Sequence, residues 1–550
     1  MPAIEDNSQA PGGPLRPRLP ASLGPFRYPM YRAIWLATLA SNLGVWIQSV
    51  GAAWLMTTIA PSADMVALVQ SATALPVLLF SLFGGTLADL WDRRLVFLTG
   101  QLVVMGGAIA LAVMQGVGAV TPWLLLALTF VLDSGSALRQ PAYQATVGEL
   151  VPRSELVAAI ALNSIAFNVA RSVGPALGGV VVAAFGVQAA FVLNAACSLA
   201  IIGVLLAWRR PRQPSDIPRE PVPRAMLGGL RYAWGSPTIL RVMLRCFVFT
   251  AAAGSLWALL PLVARQDMGG GPTAYGVLLG CLGLGAIGGA VAIGALRRRL
   301  GGEVLVAMGS AAFALPCLAI AAAPTLWVAV PSLVVGGAAW MTTLSSFNVM
   351  VQLSTADWVK ARALSVYFMS LFGGLALGSW GWGHAAAAFG TQAALAGAGA
   401  ALLASLALAA FVRLPRDLGK DLSPLRHAPA PALAPGLQPG TGAVAVTVEY
   451  RVEPSRAAEF VRAMRPLRRL RLRDGALRWT LYQDAAEPGR WIEAFVLGSW
   501  LDDLRHQRRL TVADRVVLDR VAAFHRGEGP PRASHLIARG TRRFSWPPGG

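Results

Sequence analysis

The sequence predicts an all-α polytopic membrane protein, with twelve transmembrane helices in two six-helix repeats, followed by a C-terminal α+β domain of ferredoxin-like order. Three observations predict it. Of the 550 residues, 55% are hydrophobic and only 13% charged, and mean hydropathy is +0.55. A soluble protein carries about 25% charged residues, so an ordinary cytosolic enzyme is excluded, as is disorder over most of the length. Basic residues gather in alternate connections between the apolar runs. Composition then changes after Arg413, from apolar runs to a Pro/Ala/Gly stretch and the patterns of a small soluble fold.

Apolar stretches long enough to cross a hydrocarbon core fall near 33–60, 65–88, 95–116, 121–146, 156–184, 187–208, 238–264, 272–296, 303–322, 326–350, 363–388 and 391–413. The first 30 residues contain no apolar signal-peptide core, so the first hydrophobic helix is expected to act as the insertion signal. Residues 1–30 form a tail, 31–208 the first half and 238–413 the second. Between the halves lies a proline-rich, charged loop, 209–237.

Orientation follows from charge. With the N-terminus inside, the inner segments hold twenty-three Arg or Lys residues and the outer loops hold only Arg265. The positive-inside rule then places both termini in the cytoplasm of an inner membrane. A net charge of +20 could also suit nucleic acid, but these positions fit a membrane surface, and no nucleic-acid partner is expected. Cys197, Cys246, Cys281 and Cys317 lie inside apolar runs with no CxxC and no nearby His. They read as small core residues, with no metal site and no cofactor expected.

The halves look related. Gly174 and Gly178 recur as Gly374 and Gly378, offset by 200 residues. Residues 414–440 read as a linker. Residues 441–545 then read β-α-β-β-α-β: AVAVTVEYRV, a helix from SRAAEFVRAMRPLRRL with Ser455 as N-cap, ALRWTLYQD, RWIEAFVLG, helices around 501–525, and SHLIA. That order suggests the ferredoxin-like fold.

Several residue groups carry chemistry. GGTLADLWDRRLVF, between spans two and three, resembles the signature loop of the major facilitator superfamily. Gly85 allows close helix approach. By the resemblance, Asp89 faces the positive N-terminus of span eleven near Ala361 to Ser365, while Arg93 and Arg94 latch neighbouring helices. Where the family has a later glycine this chain has Asp92. The matching loop GALRRRLGGE lacks the acid at that position, so a one-sided latch is expected. In span five, RSVGPALGG resembles an element seen in antiporters of the superfamily. Gly174 and Gly178 make a small face, Pro175 frees a carbonyl, and Gly179 completes the motif. Span eight offers Gly276/Gly280 and Gly285/Gly289 as partner faces.

Two charges lie deep in spans: Asp133 and Arg171. Each costs roughly 2.5–3.5 kcal/mol on insertion scales, which invites pairing. Asp133 is the best candidate for a proton site, with Arg171 as its partner; a permanent structural ion pair is the equal alternative. Arg139 could anchor span four. Trp46, Gln48, Trp54, Asn163, Asn168, Trp340, Asn348 and Tyr367 supply aromatic and amide groups to a candidate cavity for a small, amphipathic molecule.

The strings FRYPMYRAIWLATLASNLGVWIQSVGAAWLMT, RQPAYQA, ELVPRSELVAAIALNS and NVARSVGPALGG resemble the transmembrane secretion effector, or enterobactin exporter-like, branch of the superfamily. The resemblance implies proton-driven export of a siderophore, antibiotic or other secondary metabolite, and no enzyme activity. The tail strings RDGALRWTLYQD, RWIEAFVLGSW and LRHQRRLTVADR also resemble that branch, and the resemblance implies a tail with the fold of the cofactor-free antibiotic-biosynthesis monooxygenases. There Trp479, Tyr482, Trp491, Trp500 and His506 either line a cleft or form a core, and the domain is a candidate for self-association. Arg465, Arg468, Arg469, Arg471 and Arg473 read as a solvated face meeting anionic lipid. A membrane-tethered enzyme and a lipid flippase of the same fold remain as alternatives.

Overall fold

The computed structural model describes residues 21–152, 154–208, 222–415, 421–423, 425 and 442–538. Among these, ten helices are long and apolar enough to cross a membrane. The first half holds α1 (Pro29–Ile59), α2 (Ala63–Leu90), α3 (Arg93–Gly116), α4 (Pro122–Leu150) and α5 (Leu156–Ala207). Proline at the first helical position suits α1 and α4, because the N–H it lacks would be unpaired there anyway. Asp92, which replaces the family glycine, is the N-cap of α3 and accepts from the Arg94 N–H at 2.9 Å.

The 52-residue α5 is broken at Gly186 (φ 81°, ψ 170°). This falls in the gap between the fifth and sixth expected spans. Only glycine adopts such angles without strain, and the second half uses the same device. There Gly390 (φ 89°, ψ 159°) separates α11 (Lys360–Phe389) from α12 (Thr391–Ala404).

Between the halves the expected loop is partly a helix, α6 (Val222–Gly235). Its prolines made it look irregular, but Pro223 sits in the first turn, where proline is tolerated. The second half continues with α7 (Pro237–Leu262), α8 (Pro272–Arg299), α9 (Gly302–Ala322), α10 (Leu326–Leu353), then α11, α12 and the short α13 (Leu408–Phe411).

Small residues set the helix spacing in both halves. Gly174 and Gly178 of α5 lie against Trp46, Ile47 and Val50 of α1. Gly374 and Gly378 of α11 lie against Phe247, Thr250 and Ala251 of α7. The halves meet through two further pairs. In one, α5 packs on α8: Gly179 faces Gly276, and the Ser172 hydroxyl donates to the Gly283 carbonyl at 3.0 Å. In the other, α2 packs on α11: Gly383 faces Asp64 and Ala67, and the Ser71 hydroxyl donates to the Ala376 carbonyl at 2.8 Å. The expected face of α8 is corrected here. Gly276, Gly280 and Gly283 meet α5, whereas Gly285 and Gly289 meet Val334 and Ala338 of α10.

The tail contains β1 (Val444–Arg451), α14 (Ala457–Arg473), β2 (Arg478–Gln483), β3 (Arg490–Leu497), α15 (Trp500–Arg509), α16 (Val512–Ala522) and β4 (Arg532–Ile537). Its sheet runs β2-β3-β1-β4 with every pair antiparallel. Alternation in β1 turns Val444, Val446, Val448 and Tyr450 onto Phe460, Met464 and Leu467 of α14. The N-cap of α14 is Arg456; Ser455 instead donates to Glu453 at 2.7 Å within the preceding turn. Part of the expected linker belongs to this domain: the Val512 N–H donates to Ser423 and the Ala513 N–H to Asp421.

Candidate functional site

The deep charges of the bundle occupy two places. In the first half, Asp133 of α4 is half-buried, beside the Thr73 hydroxyl of α2 and in the field of Arg139. Arg139, six residues on, is 4% exposed and donates to Asn42 Oδ1 of α1 at 3.2 Å. Its Cβ packs on Gly100 of α3, so the absence of a side chain there makes room for the guanidinium stem. A second buried polar knot lies nearby. Gln101 donates to Ser41 at 3.2 Å and to Ser198 at 2.9 Å.

Arg171 lies elsewhere. It forms no ion pair with Asp133; its guanidinium carbon sits 5.8 Å from the ring centres of both Trp257 of α7 and Trp340 of α10. The expected pairing fails for a geometric reason. On α5, Ser172, Pro175 and Gly179 face the second half, and Arg171 reaches the aromatic wall of that half. Asp133 looks inward among α2 and its own helix. Trp340 itself packs against Phe249 and Phe313, with ring centres 5.9 and 5.8 Å away.

Most of the expected cavity residues serve packing. Gln48, 4% exposed, accepts from Asn194 at 2.6 Å. Tyr367, 1% exposed, donates to the Leu344 carbonyl at 3.1 Å. Trp46 lies under Gly174. Asn168 donates to Ser164 of its own helix at 2.8 Å, and Asn348 accepts from Gln352 one turn on. Asn163 accepts from the Tyr31 hydroxyl at 3.3 Å, joining α1 to α5. Of the eight, Trp340 is the one that meets a deep charge.

The arginine-rich end is clipped twice. Arg93 pairs with Glu149 of α4 at 2.9 Å. Arg94 donates to the Leu205 and Leu206 carbonyls at 2.7 and 3.0 Å, where the end of α5 leaves them unpaired. Gly85 and Asp89 lie where α2 side chains are outside the described residues. The second half has an ion pair of its own at this end. Glu303, opening α9, binds Arg245 of α7 at 2.9 Å and accepts from the Leu414 N–H at 2.8 Å. Its carboxylate follows the arginine run instead of preceding it.

In the tail, Trp491, Trp500 and His506 are 8%, 6% and 1% exposed and belong to the core, whereas Tyr482 is 53% exposed. They form no cleft. Glu493 accepts from Arg471, Trp479 and Tyr450 at 3.0, 2.9 and 3.2 Å. Arg471 and Arg473 therefore leave the expected solvated face, where Arg465, Arg468 and Arg469 remain exposed. Sequence reasoning missed what they do. Arg473 pairs with Asp474 and Asp514 at 2.7 and 2.9 Å, and stacks on Tyr232 of α6. Arg509 stacks 4.3 Å from the ring centre of Trp358. Tyr232 and Trp358 meet edge to face at 5.5 Å. Nothing in the linear sequence pairs these distant segments.

Solved transporters share the architecture of the bundle. A bacterial homolog of the human lysosomal transporter Spinster, inward-facing and unoccupied, matches with a TM-score of 0.56 at 16% identity, over 70% of this chain and 95% of that one. The nucleoside transporter NupG matches at 0.57 and 15% identity, over 70% of this chain and all of the other (100%). Two helical halves with charge held inside them thus give the chain the fold class of these solved transporters.

Within that class, the chain belongs to the transmembrane secretion effector family, whose model matches residues 20–543, tail included. Similar curated proteins are transporters. The staphyloferrin A transporter of Staphylococcus aureus is 22% identical over 60% of this chain and 82% of its own length. The enterobactin exporter EntS of Salmonella choleraesuis is 25% identical over 64% and 84%. The multidrug efflux pump Tap of Mycobacterium tuberculosis is 24% identical over 60% and 81%. The chain is a multi-pass transporter of small molecules and not an enzyme.

Proposed function

We propose that the chain exports a small amphipathic molecule, a siderophore, antibiotic or other secondary metabolite, in exchange for protons by alternating access. The observation that carries the proton part is Asp133, a carboxylate within α4 beside a hydroxyl and in the field of Arg139, with no ion pair among the described residues to hold it charged. A carboxylate so placed can take up a proton in one arrangement of the helices and release it in another. Arg139 takes the place of Arg171 as its charged neighbour. The names of the relatives support the substrate class.

The same proposal has twelve spans, both termini in the cytoplasm and an inner-membrane location. Gly186 dividing α5, and the 29 residues of α4, support the count; the arginine asymmetry supports the orientation. Gly85, Asp89, Arg93 and Arg94 form the gate on the arginine-rich face, and the two arginine clips support that reading. Gly174 and Gly178 seat α5 on α1, and Pro175 and Gly179 form the surface on which the halves rock. The sheet order 2-3-1-4 supports a ferredoxin-like tail, similar in fold to the antibiotic-biosynthesis monooxygenases. Trp491, Trp500 and His506 are buried, which favours docking or self-association over catalysis.

Inverted vesicles carrying the chain test the mechanism. Energised uptake of a labelled secondary metabolite should collapse with a protonophore. Uptake that persists without a proton gradient rejects proton exchange.

A further inference from the structure

Among the described residues, the charge inventory of the bundle does not close. Two arginines lie deep in the spans, Arg139 and Arg171, against one deep carboxylate, Asp133. Asp133 stands in the field of Arg139. Arg245, also buried, is answered by Glu303 near the arginine-rich end. That leaves Arg171, which among the described residues has neither a hydrogen-bond acceptor nor an anionic partner. What surrounds it is aromatic: the indoles of Trp257 and Trp340, each 5.8 Å from the guanidinium carbon. Both indole N–H groups are buried without a hydrogen-bond acceptor. A planar cation with five donors and two indole donors beside it thus lack any acceptor between them. Ring stacking offsets part of the guanidinium's charge, but it supplies no lone pair to a donor.

The position is also the right one. Arg171 comes from the first half and both tryptophans from the second. An occupant would touch both moving bodies, as a transported molecule must if its binding is to couple them.

We propose that Arg171, Trp257 and Trp340 bind the anionic group of the transported molecule, whose class is an organic anion bearing a flat apolar or aromatic body beside a carboxylate or similar oxyanion. The guanidinium fork matches such an oxyanion in two bonds, and the rings cover its body. This rests on the reading of the chain as an exporter and adds the substrate's charge to it.

The test uses full-length protein in nanodiscs and two probes of one shape, naphthalene-2-carboxylate and its uncharged amide, by equilibrium dialysis. Wild-type protein should bind the carboxylate at least about tenfold tighter than the amide, the scale of a charge-assisted contact. Arg171→Gln should remove the difference. Arg171→Lys should keep part of it, because a point charge replaces the fork. Trp257→Phe and Trp340→Phe keep a ring, lose an N–H, and should weaken carboxylate binding several-fold.

Equal binding of both probes to wild type, no saturable carboxylate binding, or a preference that survives in Arg171→Gln overturns the proposal. Should Arg171→Gln not fold, unchanged affinity in the other three variants overturns it equally. Protonophore-sensitive uptake in inverted vesicles is read separately. Its loss with carboxylate binding intact would reject the exporter and leave the anion site standing.

Discussion

Arg473 of the tail stacks 5.3 Å from the ring centre of Tyr232, on the helix that joins the two membrane halves. The same guanidinium holds Asp474, whose side chain is shut off from water. One residue therefore ties the folding of the tail to its docking.

The two roles separate by mutation. Arg509→Ala removes a cation–π contact to Trp358 and a hydrogen bond to the Asp474 carbonyl, and strands no buried carboxylate. It should loosen docking by about 1–2 kcal/mol and leave the tail folded. Arg473→Ala strands a buried carboxylate and should cost the tail about 3–5 kcal/mol. Hydrogen exchange of the full chain checks this: α6 alone should lose protection in the first variant, α6 and the tail sheet in the second.

The tail should weaken in acid through His506. Burial, and then the charge of Arg471, hold its pKa well below the ordinary 6.5. Arginine can only donate, so the ring nitrogen 3.4 Å from Arg471 Nη1 accepts and the imidazole stays neutral. The unfolded chain then binds the proton first. Stability is full above about pH 6.5 and falls below it, by at most about 1.4 kcal/mol for each pH unit, until the folded value is reached. Exchange protection of β3 should drop between about pH 7.5 and about pH 5.5, and drop less in His506→Gln.

Asp133→Asn should abolish proton-coupled transport while the protein remains monodisperse, since the amide fits the same space and cannot exchange a proton. Arg139→Gln should impair coupling in the same way. Arg171→Gln should instead raise the substrate concentration needed for half-maximal transport. Uptake in inverted vesicles, with substrate concentration varied, separates the two patterns. Full coupling in Asp133→Asn would remove it from the mechanism.

Gly179 has no room for a side chain, because a Cβ would lie 2.9 Å from the Cα of Gly276 and 2.8 Å from the Pro272 carbonyl oxygen. Gly179→Ala should push α5 off α8 at a cost of about 1–3 kcal/mol. Gly106→Ala, which meets nothing within 4 Å, should behave as wild type. Thermal unfolding and transport rates, measured on both, check the contrast.

The spans and the repeat were legible because a bilayer demands long apolar runs, and because close helix approach demands glycine at fixed spacing. Gly174/Gly178 and Gly374/Gly378 stand at equivalent helix crossings for that reason. Strand alternation made β1 and β3 readable in the same way.

Partnerships were less legible, because they depend on helix rotation. Asp133 and Arg171 sit on neighbouring segments of sequence pattern but face different ways. Arg139 looked like an anchor, until Asn42 and Gly100 proved to hold it inside. α6 was hidden by prolines that a helix tolerates in its first turn. Its role was hidden because Tyr232 meets Arg473 across 241 residues of chain.

The most direct measurement is a pair of spin-label distances, with the four native cysteines replaced by alanine. One pair, Thr58 and Gln266, spans the halves at the arginine-poor end; the other, Leu95 and Arg299, spans them at the arginine-rich end. On acidification the two distances should change in opposite directions, and Asp133→Asn should freeze them. Distances that stay fixed, or that lengthen and shorten together, would contradict two halves rocking about a proton-sensitive centre.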